Sequence, residues 1–248
     1  MKNNVYDTHN IGHLSASFLN TWVSSPWQAI AKLAGLEGSV GPAAYRGIAA
    51  EEGLEFAVRK NNLAEGIAKA NMKFNELNGS SQFGEKELKA LPNYVEQAYS
   101  LYSQLEDVEA YQQKIVYQHE DLPIPFVGYI DFLYPQKIRD MKTVARNTYN
   151  NGPSLAHCRQ VAIYGWAYPD HELWIDYVTP REVISHKVQN VADHQKTVMK
   201  IVHGLEKFLS ISNDTKELAS ILTPDVDDWR FNDGIRKQAG DIWPEITI

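Results

Sequence analysis

The stretch that decides the fold is residues 126–144, which read FVGYIDFLYPQKIRDMKTV. Two runs rich in β-branched and aromatic residues flank the Pro135-Gln136 turn, so the stretch predicts two strands, 126–134 and 137–144. Because the turn is short, we expect the two strands to pair as an antiparallel hairpin. Residues that face each other across this hairpin should therefore lie close together in the folded chain.

Three charged side chains in this hairpin suggest chemistry. Asp131 lies in the apolar first strand, where burial of an acid is costly unless a partner or a metal compensates it. Asp140 and Lys142 share one face of the second strand. The hairpin lays Asp131 beside Asp140, and an acid pair with a lysine suits metal-dependent phosphodiester cleavage. Two alternatives stay open: Asp131 pairs with Arg139 or Arg146, or the Asp-x-Lys pair is an ordinary surface pattern.

A third acid comes from a helix predicted over residues 43–61. Glu51 falls on its apolar, inward face with Leu54 and Val58, whereas Glu52 falls on the solvated face. An acid on the inward face is explained by a metal or its bound water. Oxygen ligands with no histidine or cysteine nearby in sequence favour Mg²⁺ or Mn²⁺ over Zn²⁺. We therefore expect Glu51 to join the other two acids.

Polar residues also follow the hairpin. Gln160 and Tyr164 lie four apart on a helix predicted to start at Pro153-Ser154, so they share a face with His157. This stripe suits hydrogen bonds to a phosphate or a sugar, and the alternative is a helix edge packed on the sheet. Residues 136–160 hold five basic residues and one acid, although the net charge is −7. The local surplus predicts phosphate contacts, unless it is an ordinary solvated stretch.

The rest of the chain predicts helices around a sheet. Periodicity and capping predict helices over residues 15–25, 43–61, 85–105 and 191–209, a looser helical stretch that follows residue 61 and ends at about 77, and a helix that starts at 154. They also predict strands over 111–119 and 173–178 and a loop at 78–81. This order predicts an α/β or α+β fold with a central mixed sheet, a strand meander and flanking helices. We expect one domain over 1–248, with a helical part over 1–110, the motifs within about 40–180, and a surface-wrapping or mobile tail over 224–248.

Composition narrows the class of protein. The one cysteine, Cys158, provides neither an internal disulfide nor a cysteine-rich metal site. The sequence lacks an apolar run of about 18 residues and a recognisable signal peptide, so we expect a soluble cytoplasmic protein that does not enter a membrane.

Four motifs occur in order along the chain: Gly47-x-x-x-Glu51, Gly128-Tyr129-Ile130-Asp131, Asp140-Met141-Lys142-Thr143 and Gln160-x-x-x-Tyr164. Together they resemble the PD-(D/E)XK nuclease superfamily, in particular its RecB-like and lambda-type exonuclease branch. The resemblance covers about residues 14–165 and implies a restriction-endonuclease-like core. The glutamate at position 51 resembles compact, stand-alone, phage-like exonucleases, whose location would be the host cytoplasm.

The resemblance also implies roles. Asp131, Asp140, Glu51 and the Met141 carbonyl would bind Mg²⁺ or Mn²⁺, and Lys142 would be the catalytic lysine. Residues on the DNA side would be Gln160, Tyr164, His157, Arg146, Arg159 and Thr143. With only one cysteine, we expect no iron–sulfur cluster. The implied partner is DNA, as a single strand or a duplex end, together with a recombination or single-strand-binding protein; the sequence leaves the oligomeric state open.

Three other functions fit parts of the pattern. A structure-specific endonuclease would use the same residues, because whatever blocks the groove decides between internal and end cleavage. A nuclease-derived DNA-binding module would have lost catalysis, although Asp131, Asp140 and Lys142 are all present. A metabolic Mg²⁺ enzyme acting on a phosphorylated small molecule would be expected to carry a glycine-rich phosphate loop, and Gly47 and Gly128 are isolated.

Overall fold

The computed structural model describes residues 4–78 and 84–246. Its helices are α1 (Val5–Thr8), α2 (Ala16–Ser24), α3 (Pro26–Leu33), α4 (Pro42–Lys60), α5 (Leu63–Asn78), α6 (Glu85–Tyr102), α7 (Leu155–Ala167), α8 (Val191–Leu209), α9 (Thr215–Ser220) and α10 (Asp233–Ala239). Its strands are β1 (Ala110–Tyr117), β2 (Phe126–Tyr134), β3 (Lys137–Thr143), β4 (Glu172–Val178) and β5 (Val183–Lys187). The architecture is α/β, as the order of predicted elements indicated.

The strands form one mixed sheet in the order β1-β2-β3-β4-β5. Neighbouring strands are antiparallel except β3 and β4, which are parallel and are connected through α7. The predicted hairpin of β2 and β3 and the meander from β1 to β3 are therefore confirmed. The chemistry-bearing residues of β3 lie in the middle of the sheet.

Two hydrophobic cores cover the sheet. The first core contains Ile130, Ile138 and Ile175 from the strands and packs against α7, α8 and the N-terminal helices. The second contains Phe132 and Met141 and packs against α4, α5 and α6. Helices thus cover both faces, because alternate residues of the central strands are apolar on each side.

Helix α4 packs very closely against α5. A Cβ atom added at Gly53 would lie 2.6 Å from Cβ of Ala70, and one added at Gly66 would lie 2.4 Å from Cβ of Ala57. The two glycines thus let the helix backbones approach each other. This packing fixes α4, and with it the position of Glu51.

Most predicted elements are confirmed, because local patterns define them. The side chain of Ser15 caps α2 by accepting a backbone N–H, and the side chain of Ser154, where a helix was predicted to start, caps α7 in the same way. Strand β5 and helices α1, α3, α9 and α10 were not predicted. The loop predicted at 78–81 lies, apart from residue 78, outside the described residues. Within the described ranges, no helix combines the length and the apolar character needed to cross a membrane.

The described part of the tail predicted to be surface-wrapping or mobile, residues 224–246, packs against the first core. Phe231, Ile235 and Trp243 are buried and belong to the first core. The Trp243 ring lies edge-on to Trp27 of α3 at 6.2 Å, and its Nε1 donates to the Leu222 carbonyl at 2.7 Å. The tail is a packed part of the domain because its aromatic residues cover α3.

Candidate functional site

The site begins where β2 and β3 separate. Their pairing runs from Tyr134 with Lys137 to Phe132 with Arg139, a register that places Asp131 opposite Asp140. At that level the strands no longer pair, and Oδ2 of Asp131 accepts the backbone N–H of Met141 at 2.8 Å. The acid thus takes the hydrogen bond that a continued ladder would have formed.

Met141 contributes its main chain to this gap. In an extended strand the N–H and C=O of one residue point to the same side, so the Met141 carbonyl faces β2 as its N–H does. The Met141 side chain is buried in the second core, away from the acids. The carbonyl is therefore available to complete an oxygen site, the role that the motif resemblance implied.

Asp140 is the most deeply buried acid of the cluster, with 0% of its surface exposed. Its Oδ1 accepts from Nε2 of Gln160 at 2.9 Å. Nζ of Lys142 lies 2.5 Å from its Oδ2 and forms an ion pair with it. Asp140, Lys142 and Gln160 thus meet as predicted, and each oxygen of the Asp140 carboxylate faces a nitrogen.

Glu51 reaches the same cluster from α4. It accepts from Nε2 of Gln112, and the same nitrogen lies 3.4 Å from Oδ1 of Asp131. Glu52, the neighbour assigned to the solvated face, instead forms ion pairs with Lys69 at 2.9 Å and Lys73 at 3.3 Å. The prediction that Glu51 faces inward and Glu52 outward is confirmed.

Charge within the cluster is unbalanced. Burial and the repulsion of Asp131 raise the pKa of Glu51 to about 9. Burial and Asp140 raise the pKa of Asp131 to about 7, and burial raises the pKa of Asp140 against the opposing effect of Lys142. The pKa of Lys142 is raised overall: burial favours the neutral amine, but the charges of Asp140 and Asp131 outweigh this effect. Three ionised acids beside one ammonium would leave two negative charges uncompensated, and one divalent cation would balance them.

Tyr164 and Gly128 fit together beside the acids. A Cβ atom added at Gly128 would lie 2.8 Å from Cε1 of Tyr164, so the ring needs a glycine at this position. The Tyr164 hydroxyl accepts from Nε2 of Gln160 at 2.9 Å, the nitrogen that also holds Asp140. Burial and the charge of Asp140 raise the pKa of Tyr164, which keeps the phenol neutral. Two of the four motifs thus meet through a steric fit.

His157 is close to the cluster but has another partner. Its Nδ1 lies 2.8 Å from the hydroxyl of Tyr177, whose ring stacks on Tyr149 at 3.7 Å. Burial and the charge of Lys142 lower the pKa of His157 to about 4, so the imidazole is neutral near pH 7. His157 therefore borders the site as part of an aromatic cluster with Tyr149 and Tyr177.

Three other predicted DNA-side residues have different surroundings. Thr143 accepts from Arg46, through its Oγ1 at 3.4 Å and its carbonyl at 3.1 Å. Nε of Arg159 donates to Oδ1 of Asn20 on α2 at 2.9 Å. Arg146 is exposed beside a cavity of about 640 Å³, and no described hydrogen bond or ion pair links it to the acids. The structure brings none of the three into the carboxylate cluster.

The interpretation of residues 136–160 as a basic surface is wrong for part of its members. Arg139 is buried and forms a two-pronged ion pair with Asp176, with Nε at 2.8 Å and Nη2 at 2.6 Å from the carboxylate. Lys137 pairs with Glu106 at 3.1 Å. Because Arg139 is engaged by Asp176, it does not neutralise Asp131, and the alternative of an Asp131–Arg139 pair is excluded.

Gln112 is the site residue that the sequence analysis missed. It lies in β1, and no motif or periodicity marks it. A cavity of about 580 Å³ between α4 and α5 opens beside it and is lined by Glu51, Arg59, Lys69 and Lys73. Only the register of β1 on β2 brings Gln112 to the acids, and that register is a property of the folded sheet.

The arrangement of the cluster and the chemistry of its donor groups both decide whether it could bind a cation. In the described ranges, no group of three or more His, Cys, Asp or Glu side chains is already arranged as a cation cage. The chemistry of the donors nevertheless suits a hard cation, because carboxylates and a main-chain carbonyl converge on one gap. Glu51, Asp131, Asp140 and the Met141 carbonyl are the groups that could hold it.

Comparison with known proteins does not assign a family. No protein-family model matches the sequence, and no curated protein matches it. Among solved structures, SSO0001 aligns over 82% of this chain and 88% of its own at 9% identity, with a TM-score of 0.34. A similarity this low carries no argument about fold or function.

Proposed function

We propose that the chain is a Mg²⁺-dependent DNA exonuclease of the PD-(D/E)XK type, which hydrolyses phosphodiester bonds from DNA ends. One observation carries the proposal. Residues of four separated motifs, on α4, β2, β3 and α7, meet in one partly buried cluster that contains three acids and one lysine. A role in recombination, repair or DNA degradation follows from the motif resemblance.

Mg²⁺ or Mn²⁺, when bound by Glu51, Asp131, Asp140 and the Met141 carbonyl, would supply a Lewis acid for the phosphoryl oxygen and a more acidic water. The protein's own part is to place the acids around the gap that the cation would occupy. The raised pKa values of Glu51 and Asp131 mean that the metal-free cluster holds protons near neutral pH. Cation binding would release those protons, since carboxylates bind metals in the ionised form.

Lys142 would contribute positive charge at the reacting phosphate. Its raised pKa keeps the ammonium protonated throughout the neutral range, and 22% of its side chain is exposed to solvent. An ammonium in this position stabilises charge that develops on phosphoryl oxygens. Gln160 holds Asp140 in place, and Tyr164 in turn fixes Gln160.

The test is degradation of end-labelled linear DNA, single- and double-stranded, next to a closed circle. Each substrate is incubated with Mg²⁺, Mn²⁺ or EDTA. We expect linear DNA alone to be degraded, only with a divalent cation, and about 100-fold or more slowly by Lys142→Ala, because one charged donor at the transition state contributes that much. Lys137→Ala is the matched control, since it removes a lysine of the same strand that pairs with Glu106.

Other outcomes identify the rival functions. Cleavage of the closed circle would replace the exonuclease by an endonuclease with the same residues. DNA binding without cleavage of any substrate would leave a nuclease-derived binding module. Equal rates for Lys142→Ala and Lys137→Ala would contradict the role of Lys142, even if DNA were degraded.

A further inference from the structure

Gln112 contacts two acids from opposite sides of the site. Its Nε2 donates to Glu51 of α4 and lies 3.4 Å from Oδ1 of Asp131 on β2. Both contacts come from one carboxamide nitrogen, which carries two hydrogens. When both acids are ionised they repel each other, and a neutral group that donates to both then holds them together without adding charge.

The backbone at Gln112 is distorted to allow this. Residues 110–117 of β1 pair with β2 in one register, Tyr111 with Phe132 and Gln113 with Ile130, but the intervening pair of Gln112 and Asp131 is broken. Gln112 has a φ of +47°, the left-handed region that residues with a side chain rarely adopt. Such a conformation persists only where the surroundings hold it, and it concentrates at functional sites.

The distortion coincides with a second break. Asp131 pairs with neither neighbouring strand in the described sheet, because β1 departs from it at Gln112 and β3 departs from it after Arg139. Asp131 is thus free to turn its carboxylate toward Met141, where Oδ2 is bound. Its other oxygen, Oδ1, is the one that faces Gln112.

We propose that Gln112 is a positioning residue, which holds Glu51 and Asp131 at the separation that a divalent cation needs. This inference rests on the proposed function, since it concerns the same acids. Gln112 contacts the two acids and does not itself bind the cation. Its side chain lies exposed at the rim, beside the cavity of α4 and α5.

The experiment is calorimetric titration of the metal-free protein with MnCl₂. Gln112→Met keeps the length of the side chain and the backbone strain but removes the donor. Gln112→Gly removes the donor and relieves the strain, because glycine adopts positive φ freely. Gln113→Met is the matched control: the neighbouring glutamine on the same strand donates to the Lys114 carbonyl and not to the acids.

We expect Mn²⁺ to bind about 10–100-fold more weakly to both Gln112 variants than to wild type, as for other groups that orient metal ligands. Gln113→Met should bind as wild type does. DNA cleavage by the Gln112 variants should recover at raised Mn²⁺ concentration, which a loss of folded structure would not allow. Thermal unfolding should show Gln112→Gly to be at least as stable as Gln112→Met, so that one folded variant is available for titration.

Two outcomes overturn the proposal: Mn²⁺ affinity of Gln112→Met and Gln112→Gly equal to that of wild type, or no Mn²⁺ binding by wild type. A third outcome separates it from the nuclease activity. If wild type binds Mn²⁺ in a Gln112-dependent way but degrades no DNA, the positioning role stands and the exonuclease fails.

Discussion

Replacement of Gly128 by alanine tests the steric fit between two motifs. The added Cβ would lie 2.8 Å from Cε1 of Tyr164, a separation that real Cβ atoms essentially never show. Tyr164 is 3% exposed and closely surrounded, so its ring cannot move away without disturbing Gln160 and, through it, Asp140. Overpacking of this kind costs about 1–3 kcal/mol in the free energy of unfolding.

A double-mutant cycle isolates this clash. Tyr164→Ala alone should cost about 3–5 kcal/mol, because it removes a large buried ring. In Tyr164→Ala the space beside Gly128 is vacated, so Gly128→Ala should then cost little. The coupling energy should therefore be about 1–3 kcal/mol, and the double mutant should be more stable by this amount than the sum of the two single costs predicts. If the two costs add to within about 0.5 kcal/mol, the steric argument is wrong.

Urea unfolding followed by tryptophan fluorescence gives these free energies. Gly204→Ala is the control: Gly204 is exposed in the interior of α8, and a Cβ there would meet no atom within 4 Å. It should stabilise the protein by about 0.5–1 kcal/mol, since alanine favours helices over glycine. If Gly128→Ala lowers the free energy of unfolding and Gly204→Ala raises it, the effect of Gly128→Ala comes from its contact with Tyr164. If both substitutions lower the free energy of unfolding, that attribution fails.

Three further predictions test other parts of the structure. In EDTA, Glu51 has a folded-state pKa of about 9 against 4.5 unfolded, so its stabilising contribution is complete below pH 4.5 and is lost as the pH rises toward 9. Glu51→Gln should therefore be more stable than wild type at pH 8, by about 2–5 kcal/mol, and unfolding curves at pH 5 and pH 8 that show no such difference would contradict the shift. Arg139→Met should cost about 3–5 kcal/mol in urea unfolding because it leaves Asp176 buried without its partner, and a neutral result would mean that Asp176 reaches water. Trp243→Ala should cost about 3–5 kcal/mol, whereas a mobile tail would tolerate the change with no shift in thermal unfolding.

The sequence predicted those features that depend on neighbours along the chain. The hairpin of β2 and β3 was predictable because a short turn sets its register, and with it the position of Asp131 beside Asp140. The inward position of Glu51 followed from the periodicity of α4. The approach of Gln160 to Asp140 came from the motif resemblance, since their separation of 20 residues leaves no local rule to place them together.

Features that depend on distant partners were missed or assigned wrongly. Arg139 looked like part of a basic surface, because its partner Asp176 lies 37 residues away on β4. Gln112 carries no sequence signal, since its contact with Asp131 depends on how β1 registers on β2. The tail lacks helical periodicity, yet its isolated aromatic residues, Trp243 above all, are what bury it.

The distortion at Gln112 also affects how molecules of this protein meet one another. Strand β1 is an outer strand of the described sheet, and its free backbone groups could template addition of a strand from another molecule. A residue in the left-handed region interrupts the straight run of donors and acceptors that such an addition needs, and the exposed Lys114 adds a charge two residues later. We therefore expect the same backbone distortion that brings a carboxamide to the acids also to disfavour aggregation through this edge of the sheet.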